Sequence, residues 1–421
     1  MDIMLTASGT RGDVQPALAL SLGLRQAGHT VRIAAGANFK PWIESYGFDC
    51  LPLLDMEAMM QSQDGIRWVE QGNNVMAQLR IMRKLINEHL EELTRPLIDH
   101  GRDCDLHISG FTSTDMVEVI AEKHRIRHIA TALQPYRATR SGAATLVPIT
   151  RRDSLLNLIF GRLGDRFRWS IVADAVTLMR RREGLPILSA SVAIGRGNAI
   201  PLVNGYSANV VPHAPDWTPE SVTVGYWFLD DSEPWTPPQA LVDFCAGKPA
   251  PVCIGFGSMS SADPKALFEL VCEGVRMSGQ RAVFITGWSG LKDVNVPEYI
   301  YAIDKAPHGW LFEHVAGVVH HGGAGTTAAG LRAGKPTLIV PHMADQPFWG
   351  RRIMHLGVGP KPIARPSLSA ERLAAALRTL LQDTEMRRKA EHLGELIRGE
   401  DGVSRGVEAI EKFSKRGLRN G

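Results

Sequence analysis

The segment that most constrains the fold of this chain is a glycine-rich run, His320-His321-Gly322-Gly323-Ala324-Gly325-Thr326-Thr327. It follows an apolar stretch at 315–319 and precedes a helix-like stretch at 328–333, which predicts a strand, a loop and a helix in that order. A loop of this kind directs backbone N–H groups and the positive end of a helix dipole towards one point, which suits a phosphate. The run has no Walker lysine, and this disfavours an ATP-type site.

Two polar residues follow the next apolar stretch, at 337–340. Asp345 and Gln346 can accept and donate hydrogen bonds to hydroxyl groups, as a bound sugar requires. The alternative for Asp345 is a helix cap, because it comes shortly before Pro347. Together with the glycine-rich run, this pair predicts a site for a diphosphate that carries a sugar.

Strand-like and helix-like stretches alternate along both halves of the chain, which predicts an α/β protein with parallel sheets. A length of 421 residues is too long for one ordinary core and indicates two domains. Prolines crowd the stretch 211–240, so we place the domains at 1–225 and 248–400, with a linker at 226–247 and a terminal helix at 401–421. The strand-like stretches are 2–7, 31–34, 106–109, 129–133, 252–256, 282–286, 315–319 and 337–340. The helical stretches are 16–27, 369–381, 384–398 and 403–415.

The composition narrows the functional class. A hydrophobic content of 44% and a charged content of 22% are those of a soluble globular protein. The net charge of +3 gives no strong polyanion signal, so no nucleic-acid partner is expected. The five cysteines form no CxxC pair, which argues against a disulfide framework and a zinc site and favours buried free thiols. Neither a membrane-spanning run nor a signal peptide is recognised, so we expect a cytoplasmic location.

Four segments carry a resemblance to a known family: 9–16 (GTRGDVQP), 255–258 (GFGS), 320–327 and 341–349 (PHMADQPFW). In this order they resemble the nucleotide-sugar glycosyltransferases of family 1, most closely the branch of sterol glucosyltransferases and antibiotic-tailoring glycosyltransferases. The resemblance implies the GT-B architecture, in which two Rossmann-like domains with parallel sheets face each other across a cleft. The N-terminal domain would bind the acceptor and the C-terminal domain the nucleotide sugar, with the last helix packing back on the N-terminal domain.

Asp13 is the candidate base that removes the proton of the acceptor hydroxyl. The resembled branch has an aspartate at this place, whereas the plant branch has a histidine with a helper acid; no helper is evident here. The alternative is a helix cap before a helix led by Pro16, and a cap would lower the basicity of the carboxylate. Beside Asp13, Gly9 and Gly12 either admit a ligand or form a turn. Thr10 and Arg11 share this loop, and Arg11 is either directed at phosphate or an exposed charge.

The resemblance also assigns the donor site. His320 would bond the diphosphate through an imidazole N–H, although a lone histidine at the end of a buried strand is otherwise structural. Ser258 would contact phosphate or ribose, with a turn serine as the alternative, and Asp345 and Gln346 would hold the sugar hydroxyls. The loop residues expected to bind the diphosphate through amides or hydroxyls are Gly322, Gly323, Ala324, Gly325, Thr326 and Thr327.

The remaining parts of the site are less constrained by the sequence. Candidates for the flat partner of the nucleoside base are Trp288, His308 and Trp310. The tryptophan and the ribose-binding glutamate of the plant motif are absent, which leaves uracil and thymine both open. Candidate walls of the acceptor pocket, with ordinary core as the alternative, are Met60, Trp68, Phe111, Gln134 and Tyr136.

The segment 151–182 is locally basic, with eight arginines against three aspartates and with apolar residues between them. One interpretation is a solvated helix pair. The other is peripheral attachment to an anionic membrane surface, from which a lipid acceptor would be taken.

These observations predict an inverting, metal-independent glycosyltransferase without a cofactor. It would move a hexose, with glucose expected, from a UDP- or dTDP-sugar to a hydroxyl of a sterol, polyketide, macrolide or glycolipid. Two alternatives share the architecture: a nucleotide-sugar 2-epimerase and a non-catalytic nucleotide-sugar-binding partner protein. A monomer and a homodimer are both open.

Overall fold

A computed structural model describes most of the chain. The chain divides into two compact units. The first unit comprises Met1–Leu229 and Glu400–Gly421, and the second comprises Asp230–Gly399. Each unit buries its own apolar core around a parallel sheet. The described residues are 1–70, 75–142, 144, 153–229, 235–256, 263–287 and 295–415.

The sheet of the first unit has seven parallel strands among the described residues, in the order β3-β2-β1-β4-β5-β6-β7. The central strands are apolar on both faces, as in β1, where Ile3, Met4 and Leu5 are all buried. The strand order reverses between β1 and β4, so the carboxyl ends of these two strands form the crevice where such sheets bind ligands. The strands are β1 (Asp2–Ala7), β2 (Thr30–Gly36), β3 (Asp49–Leu53), β4 (Leu106–Ser109), β5 (Arg127–Ala132), β6 (Leu202–Asn204) and β7 (Ser221–Thr223).

Helices cover both faces of this sheet. The first begins five residues earlier than the sequence indicated, at Arg11, because Thr10 caps it. Pro16 therefore lies inside the helix, where its ring lacks the N–H that would bond the preceding turn. The helices before residue 200 are α1 (Arg11–Gln26), α2 (Lys40–Ser45), α3 (Met56–Gln61), α4 (Gln63–Glu70), α5 (Val75–Glu88), α6 (Leu90–His100), α7 (Thr114–His124), α8 (Leu155–Arg182) and α9 (Ala190–Ala199).

The sheet of the second unit has five parallel strands among the described residues, in the order β10-β9-β8-β11-β12. Its order reverses between β8 and β11, and His320 is the last residue of β11, paired with Gly255 of β8. The strand β10 was not predicted; it is an edge strand whose side chains are mostly half-buried, so its apolar signal is weak. The strands are β8 (Val252–Gly255), β9 (Ala282–Ile285), β10 (Ile300–Ile303), β11 (Gly317–His320) and β12 (Thr337–Ile339).

The helices of the second unit include two that the sequence placed to within a residue or two. Ser369 and Asp383 cap them by accepting bonds from Arg372 N–H and Met386 N–H. The helices are α10 (Gln239–Ala246), α11 (Pro264–Ser278), α12 (His308–Glu313), α13 (Ala324–Arg332), α14 (Gln346–Leu356), α15 (Ala370–Gln382) and α16 (Thr384–Arg398).

The prolines marked 226–247 as a linker, but the described residues of this stretch, 226–229 and 235–247, carry structure of their own. Tyr226 and Trp227 are buried in the first unit, and α10 belongs to the second. The indole N–H of Trp227 donates to the carbonyl of Gly402 over 3.0 Å. Proline content marks irregular backbone, but it does not show whether that backbone is buried.

The last helix, α17 (Gly402–Lys415), belongs to the first unit. It packs on α1, and Val407, Ile410 and Phe413 share a core cluster with the apolar side chains of β1 and β2. The first unit is therefore built from both ends of the described chain.

Two expectations from composition can be compared with the structure. All five cysteines are free; three are buried, whereas Cys50 and Cys104 are only half-buried. None of the described helices is both long and apolar enough to cross a membrane.

Candidate functional site

A cavity of about 30 Å³ opens in the first unit at the switch point of its sheet. It has room for a group the size of a water molecule or a hydroxyl. Its floor is apolar, with Leu5, Ala17, Leu20 and Trp227, and the polar side chains around it are Thr6, Ser8, Asp13, Thr112, Thr131 and Gln134. Of the predicted residues, the cavity brings together Asp13, Phe111 and Gln134.

Asp13 is the third residue of α1 rather than its cap. Thr10 is the cap: its hydroxyl accepts from Gly12 N–H, and its own N–H donates to Asp13 Oδ2 over 2.9 Å. This reciprocal arrangement is a capping box. The capping and basic roles considered for Asp13 are therefore compatible, because the cap uses Oδ2 and leaves Oδ1 without a hydrogen-bond partner among the described residues.

Burial controls the acidity of Asp13. Desolvation raises its pKa to about 6, against the hydrogen bonds from Thr10, which lower it. A side chain at Gly9 would lie 2.1 Å from Asp13 Oδ2, so only glycine leaves room for the carboxylate there. Asp13 thus lines a cavity and has a pKa close to neutral pH.

The other loop residues are placed differently from one another. Gly9 and Thr10 precede α1, whereas Arg11 and Gly12 form its exposed first turn. The guanidinium of Arg11 lies over the Trp42 ring at 4.9 Å, so of its two alternatives the structure fits the exposed charge.

A second carboxylate, not predicted from the sequence, contacts the same end of α1. Glu57 is buried; it accepts from Arg11 N–H over 3.2 Å and from Asn38 Nδ2 over 3.1 Å. Burial raises its pKa. Glu57 anchors α3 to the start of α1, and its partner lies too far away in sequence for any local pattern to reveal it.

The predicted acceptor walls divide into two groups. Phe111 packs on Tyr136 with ring centroids 4.8 Å apart, next to Gln134 at the cavity. Met60 on α3 and Trp68 on α4 are half-buried, and neither is among the described residues that line this cavity. Thr112, Thr131 and Trp227 line it but were not predicted.

In the second unit, His320 is almost fully buried at the end of β11. Its Nδ1 accepts from Gly322 N–H over 3.0 Å, so the ring proton lies on Nε2. That Nε2 atom is buried and has no partner among the described residues. Burial, followed by the neighbouring His321 and His308, holds the pKa of His320 well below its usual value. The ring is therefore a neutral imidazole whose Nε2–H group can donate to a ligand.

The glycine-rich run follows the expected order of strand, loop and helix, but α13 begins within it at Ala324, four residues before the predicted stretch 328–333. Gly322 has φ +98°, and a side chain there would lie 2.7 Å from Ile339 Cγ2 and 3.3 Å from the Gln346 carbonyl. The loop thus packs directly on the segment that carries Asp345 and Gln346. The first amides of α13, at Ala324, Gly325 and Thr326, have no partner within a helix of this kind.

The two threonines of this run have different environments. Thr327 is fully buried, and its hydroxyl donates to the Gly323 carbonyl over 2.9 Å. Thr326 is only half-buried. Of the two predicted hydroxyls, the one on Thr326 is thus better placed to meet a ligand.

Asp345 and Gln346 stand at the start of α14, after Ala344 with φ +53°. Asp345 occupies the cap position, but its side chain makes no capping bond to the described helix amides; Oδ2 accepts instead from Trp349 Nε1 over 2.7 Å. Gln346 Oε1 accepts from His342 N–H and Met343 N–H. This leaves the amide NH₂ as the group that Gln346 can offer.

Two more histidines join His320 at this edge of the sheet. Burial first, and then neighbouring charges, lower the pKa of His321 to about 3 and that of His342 to about 4. In both rings Nδ1 is buried without a partner among the described residues. His342 was not singled out from the sequence, although it lies within the segment PHMADQPFW.

The nucleoside candidates are only partly described. Trp288 and the phosphate candidate Ser258 lie outside the described residues. His308 stacks on Phe312 at 4.6 Å, near enough to the imidazoles to lower the pKa of His320 and His321. Trp310 stacks on His314 at 4.1 Å and meets Trp235 edge-on, so its ring is used in packing its own unit.

Both halves of the chain are similar to known protein families. Residues 3–140 match the profile "Glycosyltransferase family 28 N-terminal domain", and residues 283–400 match "Erythromycin biosynthesis protein CIII-like, C-terminal domain". Sterol 3-beta-glucosyltransferase UGT80A2 of Arabidopsis thaliana is 33% identical over 437 residues, which covers 100% of this chain and 67% of that protein.

A fungal relative is similar over a smaller share of its own length. Sterol 3-beta-glucosyltransferase of Neosartorya fischeri is 35% identical over 416 residues, or 96% of this chain, but the chain spans only 29% of that protein. The crystal structure of glycosyltransferase VinC in complex with dTDP has a TM-score of 0.70 at 18% identity and covers 99% of this chain and 100% of that chain. This likeness confirms the expected architecture of two parallel-sheet α/β domains.

Proposed function

The chain belongs to the nucleotide-sugar glycosyltransferases with two Rossmann-like domains, in the branch of the sterol 3-beta-glucosyltransferases, and we propose on this basis that it glycosylates a lipophilic alcohol. The donor is a UDP- or dTDP-hexose, and glucose is the sugar that the names of its relatives give. A sterol is the first acceptor to test, followed by polyketides, macrolides and glycolipids.

The observation that carries this proposal is the environment of Asp13. A base for a hydroxyl must be ionised at the working pH and must reach the proton. A carboxylate with a pKa of about 6 is ionised at neutral pH and is more basic than an ordinary aspartate. Its Oδ1 faces no competing donor among the described residues, and Asp13 lines a cavity large enough for a hydroxyl.

The departing diphosphate would be stabilised by the second unit. The Nε2–H of His320 and the first amides of α13 supply hydrogen-bond donors, and the helix dipole supplies partial positive charge. Fixed donors of this kind stabilise developing negative charge without reorganisation. We therefore propose that the transfer needs no metal ion and no cofactor.

The sugar would be held by the start of α14. Asp345 and Gln346 present a carboxylate and an amide group beside the glycine-rich loop, which packs on them through Gly322. Each can bond a sugar hydroxyl, and the packing of the loop against Gln346 matches a hexose joined directly to the diphosphate.

The reaction we propose is a single displacement. The acceptor oxygen attacks the anomeric carbon as the bond from that carbon to the diphosphate oxygen breaks, and the hydroxyl proton passes to Asp13. One base and one leaving-group site imply inversion at the anomeric carbon. The chemistry requires the carboxylate of the first unit to reach an acceptor that is in contact with the donor sugar.

The test is incubation of the purified protein with UDP-glucose or dTDP-glucose and a panel of sterols, macrolides, flavonoids and glycolipids, with hexose adducts detected by mass spectrometry. Asp13→Asn keeps an oxygen that can accept from Thr10 N–H and removes the base. Asp383→Asn is the matched control, because Asp383 also accepts from a helix amide but lies in the second unit.

We expect adducts with the parent protein and with Asp383→Asn, and none with Asp13→Asn, while all three bind the nucleotide sugar. Donor turnover that needs no acceptor would favour the 2-epimerase. Donor binding without turnover under any condition would favour a non-catalytic binder. Absence of nucleotide-sugar binding would refute the glycosyltransferase assignment itself.

A further inference from the structure

The N-terminal part of α8 exposes an apolar face to solvent. Five large apolar side chains there have exposed fractions between 41% and 61%, far above those of core residues. Their spacing places them on one side of the helix. They are Leu155, Leu156, Ile159, Phe160 and Leu163.

The opposite side of the same segment is packed on the first unit. Asn157, Gly161 and Asp165 are buried, and Asn157 Nδ2 donates to the Arg140 carbonyl over 2.8 Å. A side chain at Gly161 would lie 2.8 Å from Ala138. The helix is therefore fixed in this orientation, and its apolar face cannot turn inwards without breaking these contacts.

The exposed face is bordered by unpaired positive charge. Arg162 and Arg166 are exposed and follow Leu155 at the i+7 and i+11 positions, so they line one edge of the apolar side chains. Neither forms an ion pair with a described residue. Arg168, Arg180 and Arg182, farther along α8, are each paired with a carboxylate.

The two acidic residues nearest in sequence do not neutralise this edge. Asp153, just before the helix, is paired with Arg140 over 3.2 Å. Asp165 lies on the buried side of α8. The segment 155–166, which we call the α8 face, therefore combines an apolar stripe with a net positive margin.

We propose that the α8 face docks on an anionic phospholipid bilayer, with α8 lying in the plane of the surface. Apolar side chains of an interfacial helix enter the boundary between headgroups and acyl chains, and arginines at its margin bind lipid phosphates. No described helix is apolar enough to span the bilayer, which agrees with a peripheral mode. A second copy docked through the same face would bring these arginines together without carboxylates to offset them.

This inference goes beyond the proposed sugar transfer, and it is tested without any nucleotide sugar. The protein is sedimented with vesicles of phosphatidylcholine alone and with vesicles that also contain phosphatidylglycerol, at low and high salt. One variant is Leu156→Ser/Ile159→Ser/Leu163→Ser, and another is Arg162→Ala/Arg166→Ala. Matched controls are the exposed apolar pair Met277→Ser/Leu396→Ser and the exposed basic pair Lys412→Ala/Lys415→Ala.

We expect the parent protein and both controls to sediment with the mixed vesicles, and less so at high salt. The arginine variant should bind roughly tenfold or more weakly, and the apolar variant should not bind. All substituted positions are exposed, so thermal unfolding should match that of the parent protein. Failure of the parent protein to bind the mixed vesicles, or equal binding by the apolar variant, would refute the proposal. A change in oligomeric state of the apolar variant, with no effect on vesicle binding, would assign the face to a second copy instead.

Discussion

The backbone N–H of Gly322 donates to Nδ1 of His320, and this single bond fixes which nitrogen of the ring carries the proton. The donor is thereby set on Nε2, in a buried position where the imidazole is neutral. A neutral ring that keeps one N–H directed at a ligand requires no proton transfer before binding.

Removing this donor should slow the proposed transfer. His320→Ala is expected to lower kcat by about 10²–10³, as loss of one fixed donor to a developing negative charge does elsewhere. Steady-state kinetics with the best acceptor measures the effect. The exposed His392→Ala serves as control, and a thermal melt separates loss of the donor from loss of the fold. An unchanged kcat in a folded His320→Ala protein would contradict the role.

Activity should fall on the acid side as Asp13 takes up a proton. Because its folded-state pKa is raised to about 6, kcat/KM should decline about tenfold for each pH unit below that value. A pH–rate profile shows the limb directly. An ordinary aspartate would place the limb nearer pH 4, so a profile flat down to pH 5 would contradict the raised pKa of Asp13.

The same raised pKa affects stability, so Asp13→Asn should lose activity but gain stability at neutral pH. Between the ordinary pKa and about 6 the folded state binds more protons than the unfolded state, so stability falls as pH rises through this window. Asp13→Asn removes this cost. At pH 7 it should gain on the order of 1 kcal/mol in free energy of unfolding relative to the parent protein, and this gain should disappear near pH 4. Denaturant unfolding at both pH values measures it.

Gly322 should tolerate no side chain. Gly322→Ala combines a left-handed backbone with close approach to Ile339 and Gln346, and it should cost about 1–3 kcal/mol of stability and weaken nucleotide-sugar binding. Gly279→Ala is the matched control, because Gly279 also has a positive φ, +69°, but no described atom lies within 4 Å of the added carbon. The control should lose only about 1 kcal/mol and bind the donor normally.

The two neighbouring threonines should separate binding from stability. Thr326→Val is expected to weaken nucleotide-diphosphate binding with little change in the melting temperature. Thr327→Val removes a buried bond to the Gly323 carbonyl and should lower stability by about 1 kcal/mol. Calorimetric titration with UDP and dTDP measures binding, and thermal melts measure stability. Weaker binding by Thr327→Val together with a lower melting temperature of Thr326→Val would contradict the prediction.

Local patterns were enough to predict the order of β11, the glycine-rich loop and α13, but they placed the start of α13 four residues too late. The start of α1 was misjudged because Thr10 and Asp13 form a capping box that resembles a loop in the sequence. Glu57 was missed because it meets Arg11 across 46 positions, a pairing that only the tertiary fold creates. The bond between Asp345 and Trp349 lies within one helical turn and was open to prediction, but only a sugar contact and, as the alternative, a helix cap were considered for Asp345.

Because α17 belongs to the first unit, the two units can complete their cores at different stages of synthesis. The second unit is encoded by one continuous stretch, and its core can close as soon as that stretch has left the ribosome. The first unit, although most of it is made earlier, must wait for Val407, Ile410 and Phe413 before the apolar surface around β1 is covered. Of the two units, the one that carries Asp13 is thus started before the other and completed after it.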